Sequence, residues 1–243
     1  MQLKRTGSIC SLGHCGRFKS VLVRCRLQMG VALSVLLSAM HVQADDHAAI
    51  KYDPSNPSHR EAFKVAEAVN SIVRSVRSNY TKRLVKKLKA DGYGADMESI
   101  GKPGFIPLPA QFVKYVGIQL QRDTKQSFSY VLKSQWNIND TAFLEDEVDR
   151  VSWAFLDAQQ KGVDSFKSIQ WKPFVTVRQS GEESVLEYVA ADTAAGESCV
   201  ACHNAWEQRP EIIERRQMDG VAARKLFKLH EMLGMLRVSV TLE

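Results

Sequence analysis

The spacing of hydrophobic positions predicts one long helix near the start of the main part of the chain. Apolar residues recur every three or four positions, as on one face of a helix, at Ala62, Val65, Val69, Ile72, Val73, Val76, Tyr80, Leu84 and Leu88. Ser58 and Glu61 have the spacing of a capping box, which predicts that the helix begins there. Asp91-Gly92 predicts its end.

The next segment predicts a turn region, two helices and a strand. Residues 102–109 contain three prolines and therefore cannot continue a helix. The pattern predicts a second helix at 110–121 and a strand at 127–136. Asp140 is predicted to cap a third helix that ends at Lys161-Gly162. Its buried side is expected to consist of Phe143, Leu144, Val148, Val151, Phe155 and Leu156.

After Gly162 the hydrophobic period changes to two, which is typical of strands. Residues 174–178 and 185–189 flank a polar segment that contains Gly181, and this predicts a β-hairpin. Residues 193–198 are small and are expected to form a flexible connection.

The end of the chain predicts one more helix and one more strand. A short helix is expected at 219–233, ended by Gly234. In residues 237–243, Val238, Val240 and Leu242 alternate with polar residues, which predicts a strand that pairs within the sheet. The whole pattern predicts an α+β fold with an antiparallel sheet, a long N-terminal helix and flanking helices.

The first 44 residues are typical of a secretory signal. Six Lys or Arg precede an uncharged apolar run at 29–40, and Val42-Gln43-Ala44 predicts cleavage near Ala44. The run is shorter than the ~20 residues that span a bilayer. We therefore expect a periplasmic protein, or alternatively one anchored by an uncleaved leader. The expected organisation is a signal at 1–44, a polar arm at 45–57 and one domain at 58–243.

Removing the leader changes the charge of the protein. The chain has 33 Lys and Arg and 27 Asp and Glu, and the leader contains six of the cations and none of the acids. The remainder is close to neutral, so nucleic acid is not an expected partner. The basic run at 82–89 is expected to be a solvated helix face, with a surface for an acidic partner as the alternative.

Two cysteines and one histidine form the candidate chemical site. Three of the five cysteines lie in the leader, so only Cys199 and Cys202 remain. With His203 they form C-x-x-C-H, the attachment signature of c-type haem. Two thiols at this spacing reach the two vinyl groups of one porphyrin, and His203 can then be the proximal iron ligand. The alternatives are a local disulfide, a redox-active dithiol or part of another metal site.

Four segments carry a family resemblance: IPLPAQF at 106–112, NIND at 137–140, CVACH at 199–203 after the hairpin, and LRVSVTL at 236–242. In this order they resemble the PAS-like c-type haem-binding domains of bacterial periplasmic proteins and of some sensor kinases and chemoreceptors. The resemblance implies one covalent haem c, a sensor-like pocket and a homodimer through the N-terminal helix. Some relatives carry a cysteine on that helix as distal iron ligand, and here residues 58–92 contain none.

The functional hypotheses depend on what binds the iron on the side opposite His203. Candidates for the distal ligand are His59, Met97, His230 and Met232, and Trp206 is expected to form a wall of the haem pocket. His230 is expected on the apolar side of the 219–233 helix. The first hypothesis is a non-enzymatic sensor of redox state or of a small, gaseous or redox-active ligand, which signals through a partner protein. The second is a periplasmic electron carrier with a redox partner. The third is a haem-free binding module with a Cys199–Cys202 disulfide.

Overall fold

A long helix begins the part of the chain that the structure describes. This computed structural model describes residues 51–97, 99, 101–123, 125–139, 142–222 and 226–243. The predicted leader and Asp140 lie outside the described residues. Helix α1 is Pro57–Asn79; it continues as a π-helical turn, Tyr80–Val85, and as α2, Lys86–Ala90. Gly92 has φ 89°, so the predicted end at Asp91-Gly92 is confirmed.

The predicted start of this helix at a Ser58 capping box is wrong. The side chain of Asn56 caps the helix by accepting hydrogen bonds from the backbone N–H groups of Ser58 at 2.9 Å and His59 at 3.4 Å. Pro57 occupies the first helical turn, where its missing N–H is not needed. The stronger signal was therefore the Asn-Pro pair that precedes Ser58.

A small two-stranded element and a second helix follow. β1, Gly94–Asp96, pairs in parallel with β2, Phe105–Pro107. α3 is Pro109–Asp123, which confirms the predicted second helix. The Tyr80 hydroxyl donates a hydrogen bond to the carbonyl of Pro107 at 2.9 Å and so ties the π-helical turn to β2.

The main sheet is antiparallel and has the order β3-β6-β5-β4. Its strands are β3 Phe128–Lys133, β4 Phe174–Ser180, β5 Glu183–Thr193 and β6 Met232–Thr241. The predicted hairpin is confirmed, with Gly181 at φ 64° in its two-residue turn. The predicted last strand is confirmed as well, and it lies in the centre of the sheet.

Helices cover both faces of the sheet. On one face Leu186 and Val238 pack against Ala66 of α1. On the other face Val189 and Met235 pack against Trp153 and Leu156 of α4, Glu147–Gln160. The molecule is therefore α+β, with an antiparallel sheet and a long N-terminal helix as predicted. Within the described residues, no helix has the length and apolar character needed to cross a membrane.

The predicted third helix starts later than expected, and its buried side is confirmed only in part: Leu156 is fully buried, and Leu144 and Val148 pack against the same cluster. It begins at Glu147, after Asp146, whose carboxylate caps it by accepting the N–H of Asp149 at 2.8 Å. Phe143 precedes the helix and is 47% exposed; Val151 and Phe155, expected to be buried, are 42% and 40% exposed.

A buried charge explains why the buried side of this helix also contains polar residues. Asp149 is fully buried beneath Arg237, with 2.9 Å between its Oδ1 and Nη1 of the arginine. Arg237 also donates to the fully buried Glu187 of β5 through its Nε and Nη2 atoms, each at 2.9 Å. These ion pairs turn α4 so that Asp149, Ser152 and Leu156 face the sheet.

The predicted helix at 219–233 is wrong. The described residues of this segment form a loop up to Glu231, and its last two residues, Met232 and Leu233, belong to β6. Gly234 does not end a helix: a Cβ atom there would lie 2.8 Å from the carbonyl oxygen of Lys133 on β3. Two helices instead precede the loop, α5 Glu197–Trp206 and α6 Pro210–Met218.

Candidate functional site

Helix α5 carries both cysteines of the candidate site. Residues 193–198, expected to be a flexible connection, include the last residue of β5 and the first two of α5. Cys199 and Cys202 are one helical turn apart, so their side chains point to the same side of the helix. Both thiols are free and half-buried. Spacing alone therefore predicted their proximity, although the helix itself was not predicted.

Cys199 lies between an apolar cluster and an open cleft. The cluster contains Ala194, Phe227 and Leu233, with Trp136 packed against it. The cleft has a volume of about 300 Å³. Its other walls come from α1, the π-helical turn and the end of β5, and its charged lining residues are Arg74, Arg77, Lys82 and Asp192.

The acid in this cleft is already paired. Asp192 is 7% exposed and forms an ion pair with Arg77. Burial raises the pKa of Asp192, although the positive charges of Arg77 and Arg74 act in the opposite direction. The cleft beside Cys199 is consequently a mainly cationic surface.

Cys202 faces a different apolar cluster. Leu108, Trp206 and Ile212 form its buried part, and Met97 and Cys202 pack against it. Burial raises the pKa of the Cys202 thiol, while the positive charges of Lys89 and Arg209 lower it in part. The thiol is therefore protonated at neutral pH.

His203 is held as a neutral imidazole. Burial lowers its pKa to about 4, and the positive charges of Arg77 and Arg216 act in the same direction. Its Nδ1 atom is buried and has no hydrogen-bond partner. Its ring makes an edge contact with Phe227, with 5.6 Å between centroids and 80° between planes. A neutral imidazole with an unsatisfied nitrogen can act as a metal ligand.

Trp206 lies where a wall of the site was expected. It is 3% exposed and shares its cluster with Cys202. The guanidinium of Arg209 stacks over its ring, 3.4 Å from the centroid. This arrangement places a cation at the edge of the site.

Polar contacts fix the C-terminal half of α5. The fully buried Arg216 of α6 binds Glu207 with distances of 2.6 Å and 3.3 Å, and it donates to Asn137 Oδ1 at 3.2 Å. Asn204 exchanges two hydrogen bonds with the backbone of Phe227, at 2.7 Å and 3.1 Å. These contacts join α5 to α6 and to two loops.

Only one of the four distal-ligand candidates packs in a cluster with a site cysteine. Met97 packs against the cluster of Cys202. His59 lies at the start of α1, where its Nδ1 accepts the N–H of Asp53 at 3.1 Å. Met232 is buried in the cluster beneath α4.

The expected placement of His230 is wrong, because it lies in a turn with φ 67° and its N–H donates to the carbonyl of Ala194 at 2.9 Å. Leu226, which would lie one turn before His230 on the apolar side of a helix, is 63% exposed. The left-handed backbone at His230 replaces the predicted helix.

The arrangement fits the covalent attachment of a porphyrin. It combines two free thiols one turn apart, a neutral histidine beside them and apolar walls from Trp206 and Phe227. In the part of the chain described, no group of three or more His, Cys, Asp or Glu side chains could hold a metal ion.

Sequence reasoning missed the cationic cleft and the Arg216–Glu207 pair. The basic run at 82–89 was a partial signal for the first. Nothing in the sequence links Arg216 to Glu207, because the turn between α5 and α6 brings them together.

Comparison with known proteins identifies the family. The family model Tll0287-like, described as Tll0287, matches residues 55–241. Curated proteins and solved structures gave no match. The matched stretch extends from the cap of α1 to the end of β6 and includes the C-x-x-C-H run, and the family name is compatible with the resemblance described above. Because the match covers more than half of the chain, the protein belongs to the Tll0287-like family.

Proposed function

We propose that the protein is an exported, periplasmic mono-haem c-type cytochrome with a PAS-like domain that senses redox state or a small ligand. Cys199 and Cys202 would hold the haem covalently, and His203 would be the proximal iron ligand. One observation carries the proposal: a single helix presents two free thiols one turn apart, followed directly by a neutral imidazole. The haem would supply a redox-active iron with one further coordination position.

The residues of the chain have separate roles in this proposal. Each thiol adds across one vinyl group: its sulfur forms a C–S bond and its hydrogen goes to the neighbouring carbon. The low pKa of His203 keeps its imidazole unprotonated at neutral pH, so that no proton has to leave before it binds iron. Trp206 and Phe227 are each 3% exposed and would exclude water from the porphyrin.

A redox-active dithiol is the weaker interpretation. The cysteines do follow a strand, β5, and lie in the first turns of a helix, as a thioredoxin-type dithiol would. However, β5 and β6 are antiparallel, so the unit is not βαβ. Reactive dithiols also depend on a lowered thiol pKa, whereas burial raises that of Cys202.

The position of Met97 supports a second candidate function, which is electron transfer. It is the distal-ligand candidate that packs with Cys202. A methionine opposite His203 would raise the reduction potential and close the iron to added ligands. An iron without a distal ligand would instead bind small gases, as a sensor requires.

The exposed side of α1 supports a homodimer. Ile72, Val76 and Leu84 are 63%, 36% and 51% exposed, and with Phe112 they line a shallow apolar groove. Contiguous exposed apolar surface is typical of protein interfaces. Sedimentation of the wild type and of Ile72→Glu tests this: a dimer that the substitution dissociates is expected, and a monomeric wild type would contradict it.

Intact mass and absorption spectra of the protein from cells competent for haem attachment test the main proposal. The mature chain is expected to start near Asp45 and to carry the mass of one haem. Cys199→Ser and Cys202→Ser should each lose a thioether bond, whereas Ser198→Ala on the same helix should not. An unmodified mass would refute the proposal, and a mass lower by two hydrogens would show the disulfide of the third hypothesis.

Spectra of the oxidised, reduced and CO-treated reduced protein then separate the two candidate functions. CO binding favours sensing. A methionine-to-iron charge-transfer band that disappears in Met97→Ala favours electron transfer. Cell fractionation tests the periplasmic location.

A further inference from the structure

The positive charge of the domain is concentrated in one segment. Residues 74–91 contain seven Lys or Arg and a single acid, Asp91, although positions 45–243 as a whole are close to neutral. Asp91 pairs with Lys87 at 3.3 Å. The segment therefore gives the domain a strongly asymmetric charge.

This charge surrounds the two cysteines. Arg74, Arg77 and Lys82 line the cleft beside Cys199. Lys89 and Arg209 act electrostatically on the thiol of Cys202. We call these five cations the basic rim: Arg74, Arg77, Lys82, Lys89 and Arg209.

Three cations of the basic rim are available to a partner. Arg77 is paired with Asp192, and Arg209 lies 3.7 Å from Glu211. Among the residues that the structure describes, Arg74, Lys82 and Lys89 form no ion pair. All three are exposed. Exposed Glu197 in the first turn of α5 is the acid nearest in sequence to Cys199.

We propose that the basic rim is a docking surface for the acidic face of a partner protein, which it brings to the edge of the site at Cys199 and Cys202. The identity of that site rests on the proposed function, whereas the docking surface does not. Complementary charge accelerates encounter and fixes orientation more than it adds affinity. A protruding carboxylate side chain fits a concave cationic cleft, whereas a flat bilayer surface does not enter it.

Poly-L-glutamate, a soluble acidic polypeptide, serves as the probe in a calorimetric titration of the purified protein. We expect binding at low salt that weakens strongly near ~0.15 M salt, because exposed charges are then screened beyond ~8 Å. Lys82→Glu/Lys89→Glu should weaken binding about tenfold or more. The control Lys125→Glu/Lys167→Glu makes the same change in net charge at two other exposed lysines and should weaken it less than about threefold.

Three outcomes would overturn the proposal: no binding by the wild type at low salt, equal weakening in both double variants, or rim-dependent binding to phosphatidylglycerol vesicles without binding to the polypeptide. Thermal unfolding of each variant checks that it is folded. Because the titration does not require haem, it distinguishes a failed docking surface from a failed haem assignment, which the intact mass reports separately.

Discussion

Removing Arg216 should destabilise the protein far more than removing an exposed arginine. Arg216 and Glu207 are both fully buried, and the guanidinium forms two bonds to the carboxylate and one to Asn137. Arg216→Met keeps much of the side-chain volume and leaves Glu207 as a buried, unpaired charge. Breaking a buried pair in this way costs about 3–5 kcal/mol. That is a large part of the ~5–15 kcal/mol that stabilises a typical domain.

The double variant separates the charge from the packing. In Arg216→Met/Glu207→Leu no buried charge remains, and apolar replacement of a buried pair is often neutral or stabilising. We therefore expect most of the lost stability to return. The control is Arg150→Met, because Arg150 is 56% exposed and its pair with Glu147 is worth no more than ~1 kcal/mol.

Urea unfolding of the four proteins, followed by tryptophan fluorescence, measures these free energies. The midpoints should rank wild type, control and double variant close together and Arg216→Met well below them. A loss under about 1 kcal/mol in Arg216→Met would refute the reasoning. So would a double variant that is no more stable than Arg216→Met, since removing the charge of Glu207 would then restore nothing.

Three further predictions concern the sheet and the site. Gly234→Ala should destabilise the protein by about 1–3 kcal/mol in urea unfolding, because the new methyl group would lie 2.8 Å from the carbonyl oxygen of Lys133. In a Cys199→Ser background without haem, the alkylation rate of Cys202 should reach half-maximum above pH ~8.5, because burial raises the pKa of this thiol. Burial alone would raise the pKa of Glu187, but its arginine partners outweigh burial and lower the pKa. The stability that this carboxylate contributes is therefore present above pH ~4.3 and is lost as the pH falls below that value. Glu187→Gln should flatten this acid dependence of the unfolding free energy.

Each of these has an outcome that would contradict it. A urea midpoint of Gly234→Ala equal to that of the wild type would show that β3 and β6 can move apart at this position without loss of stability. A thiol at Cys202 that reacts fastest near neutral pH would support the dithiol interpretation. An acid slope that is the same in Glu187→Gln as in the wild type would mean that other groups dominate.

The spacing of apolar residues along the sequence correctly predicted the helices and strands that have one clear buried face. Ala62, Val69 and Val73 recur at helical spacing and form the buried face of α1, and Val238 and Val240 alternate with polar residues along β6. The same rule failed on α4, because the buried face of that helix contains Asp149 and its exposed face contains Val151. A carboxylate is stable there because Arg237 and Lys133 compensate its charge, and the closer of these two partners, Arg237, is distant in sequence.

The site was predictable only where chemistry fixes the spacing. Cys199, Cys202 and His203 follow from the attachment motif. The cleft does not, since Arg74 reaches Cys199 only through the packing of α1 against the sheet. The loop at 226–231 contains apolar residues at helical intervals, but the hydrogen bonds between Asn204 and Phe227 hold it in another conformation.

The central position of β6 has a consequence for the order in which the protein folds. Both neighbours of β6 precede it in the chain, and β5 and β3 are joined to each other only through it. During synthesis the sheet therefore cannot close until Met232–Thr241 has emerged. Cys199 and Cys202 emerge earlier, when the sheet against which their region packs is still incomplete. The topology thus leaves the two thiols more accessible in a newly made molecule than in the folded protein, where both are half-buried.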